Sequence, residues 1–459
     1  MAKPLPSARQ LAITVLREIE RRRGFSNRVL SRHLERFPDL DPRDRGLVTH
    51  LVYGVLRHRA RLDALVDRAA KRPAGVRGEV REWLRIGAFE LRELDRPLHV
   101  VASQVQLGLK RIDRAGGLVG LATAILHQID EHGAGWDDEA ASGKPLDALE
   151  RRWSVPRWLA GRWLATLGPG RALQRAQALL GVPQMDLRVD LSRITREHAE
   201  QRLVAEHPGC VVLAPDDQPQ CLRVTGGGDL FYGPLHDDGL VSIQALGSQQ
   251  AVLALELVPG ERVLDACAGM GVKTAQIAES LRRQGVIVAV DSNAERIGEL
   301  IASRSRVALD TPSLKVRAHV GDLLALGSEA SAPAPAGGSE VADELVADLR
   351  GPFDAALLDA PCTGLGNLGR HPELRWTCRF ADIGDRAALQ QRLLAAVIQR
   401  VRPGGRVVYA VCSLEPEEGP HQVRRLVESH PSISVDYEAT WTPEEHGADG
   451  FYAARLRMA

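Results

Sequence analysis

Two cysteines each follow a predicted strand and lie inside a turn motif. Cys362 ends Asp359-Ala360-Pro361-Cys362, and Cys412 lies in Tyr409-Ala410-Val411-Cys412-Ser413. A thiolate that adds to carbon 6 of a cytosine makes carbon 5 nucleophilic, and a second group must later remove the carbon 5 proton. Two placed cysteines can divide these tasks, whereas an isolated cysteine more often packs as a small hydrophobic residue. The residues around the pair favour chemistry.

The elements that must position these cysteines alternate after residue 260. The pattern predicts strands at 262–266, 286–291, 315–320, 355–359 and 406–411, and helices at 273–283, 294–307, 387–401 and 422–429. Strands separated by helices predict a parallel sheet covered on both faces. Ligands then bind beyond the C-terminal ends of the strands, where both cysteines fall. We therefore expect an α/β, Rossmann-like domain.

The rest of the chain predicts a multidomain protein, because 459 residues exceed one compact core. Helical periodicity recurs at 7–19, 45–57, 80–91, 102–112 and 118–129, and again over 147–180. An acidic, glycine-containing stretch at 130–143 is interpreted as a linker, and an Ala/Pro/Gly/Ser-rich stretch at 327–338 as a flexible insertion. Between 185 and 245, short strands and one helix predict a small α+β module. The expected domains are 1–135, 145–245 and 246–459.

Composition favours a soluble protein of a reducing cytoplasm. Hydrophobic residues make up 44% and charged residues 26% of the chain, and no apolar run is long enough to span a bilayer. The N-terminus has no apolar signal-peptide core. The six cysteines form neither a disulfide framework nor a Cys-x-x-Cys zinc pattern, so that we expect no metal.

The net charge is zero, but it is unevenly divided. Residues 1–120 hold 25 Lys+Arg against 14 Asp+Glu, and the remainder holds 34 against 45. A basic N-terminal part predicts a phosphate-binding surface for nucleic acid. A set of solvated helix faces accounts equally well for the charge excess alone.

A small-residue turn after the first strand predicts the cofactor site. The run Asp265-Ala266-Cys267-Ala268-Gly269-Met270-Gly271-Val272-Lys273-Thr274 lets a ligand approach the backbone at a helix N-terminus. Val272 replaces the glycine of a phosphate-binding P-loop, and the dinucleotide spacing is incomplete, which leaves a nicotinamide cofactor as a weak alternative. Asp291 ends the second strand, where an acid binds a ribose diol, and Asp322 follows the third strand, where it can accept from an adenine amino group.

These residues together predict S-adenosylmethionine as the cofactor. The expected cofactor-binding residues are Cys267, Ala268, Gly269, Met270, Gly271, Val272, Lys273, Asp291, Asp322 and Asp359. Lys273 is interpreted either as a partner of the methionine carboxylate or as a surface lysine.

Several motifs of the chain resemble those of the RNA cytosine-5 methyltransferases. The resemblance rests on the two cysteine motifs, on Arg370-His371-Pro372-Glu373 with Trp376, and on Pro416-Glu417-Glu418. Val52-Tyr53-Gly54-Val55-Leu56-Arg57 is similar to the NusB-like N-terminal domain of the bacterial 16S ribosomal RNA branch, the RsmB or Sun/Fmu type. The resemblance covers nearly the whole chain. It implies a NusB-like RNA-binding domain at 1–135, a methyltransferase domain at 246–459, and a monomer that methylates a cytosine in 16S ribosomal RNA.

The resemblance also implies roles for three residues. Cys412 would be the nucleophile that attacks carbon 6, Cys362 would help to remove the carbon 5 proton, and Asp359 would hydrogen-bond ring nitrogen 3 of the flipped cytosine. The chain departs from the family at four positions: Val272 replaces a glycine, Ala245 an aspartate, Thr123 an asparagine and His127 an arginine.

Three alternatives remain open from the sequence. In the DNA cytosine methyltransferases the Pro-Cys cysteine is the nucleophile, a role that would fall to Cys362. A transfer RNA methyltransferase shares the catalytic motifs. A NusB-like domain also occurs in RNA-binding proteins of transcription, in which case the C-terminal half would be a non-catalytic relic; the presence of both cysteines argues against this.

Overall fold

The computed structural model describes residues 5–113, 117–215, 218–226, 233–325 and 340–459. The chain forms two compact units. The first contains residues 1–182 together with 368–380, and the second contains 183–367 and 381–459. The predicted division into domains at 1–135, 145–245 and 246–459 stays a prediction, and the predicted insertion at 327–338 lies outside the described residues.

The first unit is helical, as predicted. Its helices are α1 (Ala8–Arg22), α2 (Ser26–Glu35), α3 (Pro42–Ala69), α4 (Glu79–Arg92), α5 (Leu98–Leu109), α6 (Gly117–Ala141), α7 (Pro145–Arg151) and α8 (Arg157–Ala178), with a 3-10 turn at Pro73–Gly75. Ser7 starts α1 with a capping box in which its side chain accepts from the backbone N–H of Gln10. The apolar residues Leu11, Val15 and Ile19 of α1 are all buried in the core of this unit. The periodic spacing of these residues therefore marks the packed face.

The linker predicted at 130–143 is wrong, because α6 continues to Ala141. Asp137 explains the continuation: its carboxylate accepts from Arg61 Nε at 2.7 Å and from Arg61 Nη2 at 2.6 Å, and the side chains of both residues are almost completely buried. The acidic composition of this stretch predicts a solvent-exposed linker, but one of its acids, Asp137, forms a buried ion pair with Arg61 of α3.

The second unit begins with a small antiparallel sheet. Its elements are β1 (Met185–Val189), α9 (Arg196–Glu206), β2 (Val211–Leu213), β3 (Cys221–Thr225), α10 (Pro234–Asp237), β4 (Val241–Ile243) and α11 (Leu246–Leu253). The strand order is β2-β3-β1-β4, and every pairing is antiparallel. The predicted α+β module is therefore present.

A seven-stranded sheet forms the rest of the second unit. Its elements are β5 (Arg262–Asp265), α12 (Val272–Ser280), β6 (Gly285–Asp291), α13 (Ala294–Ser303), β7 (Leu314–Val320), α14 (Glu340–Leu349), β8 (Phe353–Asp359), α15 (Leu374–Thr377), α16 (Phe380–Ile398), β9 (Val401–Val411), α17 (Pro420–Ser429), β10 (Ile433–Trp441), α18 (Pro443–His446) and β11 (Phe451–Met458); of these, α15 belongs to the first unit. The strand order is β10-β11-β9-β8-β5-β6-β7. The five predicted strands pair in parallel, which confirms the Rossmann-like fold.

Two strands at one edge of this sheet were not predicted. β11 pairs with β9 in antiparallel register, and β10 pairs with β11 in the same sense, so that the sheet is mixed rather than wholly parallel. β10 is buried at its two ends, Ile433 and Trp441, and its inner residues are exposed or partly buried. Alternating strand and helix units predict parallel pairing, whereas β10 and β11 are consecutive antiparallel strands joined through the short helix α18, so that this pattern does not predict them.

The segment 368–380 leaves the second unit and packs in the helical one. The Arg375 guanidinium donates to the carbonyl oxygens of Ser154 and Leu179 at 3.1 and 2.9 Å, and Trp376 Nε1 donates to the Leu56 carbonyl at 2.7 Å. The Glu373 carboxylate is 1% exposed and accepts from the backbone N–H and the hydroxyl of Ser26. The Arg370-to-Glu373 motif therefore serves the helical core through Glu373.

Candidate active site

The strand order of the large sheet reverses between the neighbouring strands β5 and β8. β6 and β7 extend from β5 on one side, and the chain then returns to place β8 and β9 on the other side. In such a sheet the crevice at the C-terminal ends of these strands binds ligands. Asp265 ends β5, Asp291 ends β6, Asp359 ends β8, and Cys412 directly follows β9. The fold therefore brings the predicted site residues Asp291, Asp359 and Cys412 to one edge, together with Asp265, which was not predicted as a site residue.

The two cysteines lie in contact at this edge. Cys362 Sγ and Cys412 Sγ are 3.1 Å apart, and both side chains are partly buried. The backbones of the two turns also touch, because Gly366 N donates to the Cys412 carbonyl at 3.0 Å. A Cβ atom on Gly366 would lie 2.0 Å from the Gly450 carbonyl oxygen, so that only glycine permits this approach.

The pKa of Cys362 is raised well above its ordinary value. The largest cause is the hydrogen bond with Cys412, followed by burial and by the negative charges of Cys412, Glu418 and Asp359. Cys362 therefore keeps its proton at neutral pH and can donate it toward the Cys412 sulfur.

Lys273 forms an ion pair with Asp359. Lys273 Nζ lies 2.6 Å from Asp359 Oδ2, and the side chains are 16% and 27% exposed. Burial lowers the pKa of Lys273, but the attraction of Asp359 outweighs it and the net shift is upward, so that the lysine stays cationic. Lys273 Nζ also lies 5.9 Å from the centre of the Phe451 ring. The predicted interpretations of Lys273 did not include this ion pair with Asp359, one of the three predicted catalytic residues.

The predicted cofactor turn has the backbone that its glycines suggest. Gly269 and Gly271 have φ angles of +55° and +85°, in the left-handed region. A Cβ atom on Gly271 would lie 2.6 Å from Leu300 Cγ, whereas at Gly269 the same position has no heavy atom of the described chain within 4 Å. The turn is therefore closed on the Gly271 side and open at Gly269.

Asp291 fixes this turn. Its Oδ2 accepts from Gly269 N at 2.9 Å, and its Oδ1 accepts from Asn293 N at 2.8 Å. Each carboxylate oxygen retains a further lone pair, so that the side chain can also accept from ribose hydroxyls.

Of the other predicted cofactor residues, Cys267 and Ala268 lie in the turn, and Met270 is 48% exposed. Burial raises the pKa of Cys267, which excludes it as a thiolate at neutral pH.

Asp265 offers the best test of whether S-adenosylmethionine fits. Its carboxylate is fully buried; Oδ2 accepts from Thr274 Oγ1 at 2.7 Å, while Oδ1 has no partner among the described residues. Burial raises the pKa of Asp265 to about 6. An unpaired carboxylate oxygen beside an open glycine turn fits a ligand that carries a cationic group, which S-adenosylmethionine does. The residues present therefore fit this cofactor.

Asp322 lies farther out than the other predicted acids. It follows β7, the edge strand of the sheet, and is exposed. Its Oδ1 accepts from Leu324 N at 2.9 Å, which closes the local turn. Its position next to the β6 end agrees with a contact at the adenine end of the cofactor, and that contact stays a prediction.

The four departures from the family pattern fall at identifiable places. Val272 begins α12, and its carbonyl accepts from Arg188 Nη1 at 3.0 Å. Ala245 precedes α11, where Asp186 supplies the nearby carboxylate by accepting from Leu246 N at 2.9 Å.

The other two departures lie on α6. Thr123 accepts from Gln106 Nε2 at 3.0 Å, and His127 is exposed.

Sequence reasoning missed a buried polar cluster behind the turn. Arg188 is 1% exposed and donates to Glu279 Oε1 at 2.8 Å, to Gln244 Oε1 at 2.5 Å and to the Val272 carbonyl. Burial raises the pKa of Glu279 to about 7, although Arg188 opposes the shift. No motif marks these residues, because they lie on β1, before α11 and on α12, and only the fold brings them together.

Several arginines of the basic N-terminal part are paired with carboxylates of the same unit. Arg9, Arg61 and Arg85 are directed to buried carboxylates, and Arg17, Arg59 and Arg68 are paired with more exposed ones. Lys71, Arg72 and Arg77 are exposed around the 3-10 turn. Exposed cations such as these three are candidates for phosphate contacts.

Comparison with known proteins agrees with this site. Residues 252–457 match the family model described as 16S rRNA methyltransferase RsmB/F, and residues 6–131 match the NusB family. A probable ribosomal RNA small subunit methyltransferase B from Synechocystis sp. is 31% identical over 99% of this chain and 100% of its own length.

Two solved structures are also similar. A methyltransferase homologue from Pyrococcus horikoshii is 26% identical with a TM-score of 0.56, covering 69% of this chain and 100% of its own. NSun6 from the same organism, solved with SFG, has a TM-score of 0.54 over 65% of this chain and 97% of its own; at 19% identity, this likeness shows the fold alone. No helix in the described part of the chain is long and apolar enough to cross a membrane.

Proposed function

We propose that this protein methylates carbon 5 of a cytosine in 16S rRNA through a covalent adduct on Cys412. The chain belongs to the RsmB/F family of 16S rRNA methyltransferases and is an S-adenosylmethionine-dependent RNA methyltransferase. The observation that carries the mechanism is the 3.1 Å contact between the two sulfur atoms at adjacent strand ends. The full-length relative, a probable ribosomal RNA small subunit methyltransferase B, supports the substrate.

Cys412 is the nucleophile in this proposal. Cys362 keeps its proton, because the hydrogen bond with Cys412 and burial raise its pKa. In the proposed reaction Cys412 loses its thiol proton to solvent and attacks as the thiolate. Its electron pair forms the bond to carbon 6 of the flipped cytosine, and electron density moves to carbon 5.

Asp359 assists this attack. In the proposal Asp359 takes up a proton from solvent and donates it in a hydrogen bond to ring nitrogen 3, which withdraws electrons from the ring and makes carbon 6 more electrophilic; the proton returns to solvent when the methylated base leaves. Lys273, 2.6 Å away, holds the carboxylate in place. When bound, S-adenosylmethionine supplies the methyl group that carbon 5 takes up.

Cys362 completes the reaction. Once Cys412 is bonded to carbon 6, the hydrogen bond that is the largest cause of the raised Cys362 pKa no longer exists. Cys362 then releases its proton to solvent and, as a thiolate, takes the proton from carbon 5. The electrons of that bond re-form the ring double bond, the sulfur–carbon bond breaks, and Cys412 leaves as a thiolate.

The remaining assignments follow from the same site. One unit of a single chain supplies both cysteines, the glycine turn and the acids Asp265, Asp291 and Asp359, so we propose that the monomer is active. A ribosomal RNA substrate implies a cytoplasmic enzyme. The NusB-like part at 1–135 would bind the RNA, and 246–459 would catalyse the reaction.

Two alanine variants test this function, with Cys210→Ala as a control outside the site. Cys412→Ala is expected to abolish both methyl transfer and the covalent complex. Cys362→Ala is expected to permit attack and transfer but slow elimination, so that RNA stays attached through Cys412 as a denaturant-resistant band on a gel. A band with Cys412→Ala and none with Cys362→Ala would reverse the two roles. Unchanged activity in both variants would make the cysteines structural.

A further inference from the structure

A third side chain links the two cysteine turns. Glu418 lies between β9 and α17, and its side chain is completely buried. Its Oε2 accepts from Thr363 Oγ1 and from Ser413 Oγ, each at 2.5 Å. Thr363 directly follows Cys362, and Ser413 directly follows Cys412. One carboxylate oxygen therefore bonds the neighbours of both cysteines.

The other carboxylate oxygen strengthens the same link. Glu418 Oε1 accepts from the backbone N–H of Thr363 at 2.8 Å and from Gln390 Nε2 at 3.2 Å. Gln390 Nε2 also donates to the Pro361 carbonyl at 3.1 Å, on the opposite side of Cys362. The Cys362 turn is thus held from both sides.

The backbone of Glu418 is fixed as well. Its carbonyl accepts from the hydroxyl of Tyr409, a residue of β9 that is completely buried. Its N–H donates to the Glu415 carbonyl at 3.0 Å. The carboxylate is therefore presented from a rigid turn rather than from a flexible loop.

We propose that Glu418 is a positioning residue that holds the Cys362 and Cys412 turns together so that the two sulfur atoms stay in contact during the reaction. The inference rests on the proposed function for its catalytic consequence, but the geometry it explains is independent of any reaction. A buried carboxylate is retained only where hydrogen bonds compensate for its desolvation, and this one has four donors.

The chemistry of the side chain explains why a carboxylate occupies this position. An ionised carboxylate accepts at both oxygens and donates from neither, whereas an amide accepts at only one of its two polar atoms. Both hydroxyl groups can point at Oε2 only if that atom is an acceptor. A hydroxyl that donates to Glu418 is also committed, so that it does not compete for either sulfur.

The test uses Glu418→Met, which keeps the length and removes the acceptors, and Glu428→Gln on α17 as the control for an exposed carboxylate. Phenylarsine oxide binds tightly only to two thiols held side by side, and its titration therefore reports the sulfur geometry without any methylation. Glu418→Met is expected to bind phenylarsine oxide at least tenfold more weakly than wild type, and Cys412→Ser sets the baseline.

The kcat of Glu418→Met for RNA methylation is expected to fall about 100-fold, the effect of a misplacement of about 1 Å. The KM for S-adenosylmethionine should stay unchanged, and Glu428→Gln should match wild type in every readout.

A second variant covers the case in which Glu418→Met does not fold. Thr363→Val with Ser413→Ala removes both hydroxyl contacts and leaves the carboxylate in place. The double variant is expected to lose arsenical affinity and kcat in the same direction. Wild-type arsenical binding in a folded Glu418→Met, or in the double variant, would overturn the inference even if the cysteine roles hold. If the cysteine variants keep full activity while arsenical binding still depends on Glu418, the proposed function fails and the positioning survives.

Discussion

Replacing Lys273 by methionine is expected to slow methyl transfer without weakening cofactor binding. The structure pairs Lys273 with Asp359 at 2.6 Å, in a site where the side chains are 16% and 27% exposed. Hydrogen bonds to charged groups contribute about 1.5–3 kcal/mol. Since about 1.4 kcal/mol corresponds to tenfold in rate, kcat should fall roughly 10- to 150-fold if Asp359 assists attack on carbon 6.

The pH dependence of this effect has a definite sign. Burial alone would lower the pKa of Lys273, but the attraction of Asp359 raises it overall, so that the wild-type lysine stays cationic as the pH rises from 6 to 9. The ratio of wild-type to Lys273→Met kcat should therefore be constant over this range. Lys273→Arg keeps the charge and should recover part of the rate.

Single-turnover transfer of a labelled methyl group to a 16S rRNA transcript measures the step, and the KM for S-adenosylmethionine is measured alongside it. Lys315→Met, which removes an exposed lysine from β7 of the same unit, is the matched control. A tenfold rise in KM with kcat retained would show that Lys273 serves the cofactor carboxylate and would refute this reasoning. No change in either quantity would show that the ion pair is dispensable.

Three further predictions test other parts of the molecule. Asp291→Ala should weaken S-adenosylmethionine binding by about 1–3 kcal/mol in calorimetry, the scale for unpaired polar groups, and unchanged affinity would remove Asp291 from the site. Burial raises the pKa of Asp265 to about 6, above its unfolded value near 4; its contribution to stability is complete below pH 4 and is lost as the pH rises through 6. The thermal midpoint of the cofactor-free protein should fall between pH 4 and 7, and a fall of equal size in Asp265→Asn would contradict this assignment. Replacing Lys71, Arg72 and Arg77 by alanine should reduce the salt dependence of RNA binding by about one unit of slope for each lost phosphate contact, and an unchanged slope would place the RNA elsewhere.

Local patterns were sufficient to predict most of the catalytic edge. A parallel strand that ends at a turn places the next residues at the C-terminal edge of the sheet, whatever the rest of the chain does. Asp291, Asp359 and Cys412 could therefore be assigned to one edge from strand ends alone. The glycines of the cofactor turn were predicted for the same reason, since a positive φ at Gly271 is a local requirement.

Only the tertiary structure decided which side chains meet. Lys273 and Asp359 are 86 residues apart in the chain, and the Glu418 contacts with Thr363 and Ser413 join two different turns. The assignment of 368–380 to the helical unit likewise depends on distant contacts of Arg375. Periodicity and turn residues report the interactions of a residue with its chain neighbours. Buried charge pairs and hydrogen bonds between turns instead depend on how strands and helices pack, because a polar group leaves water only where the fold brings it a partner.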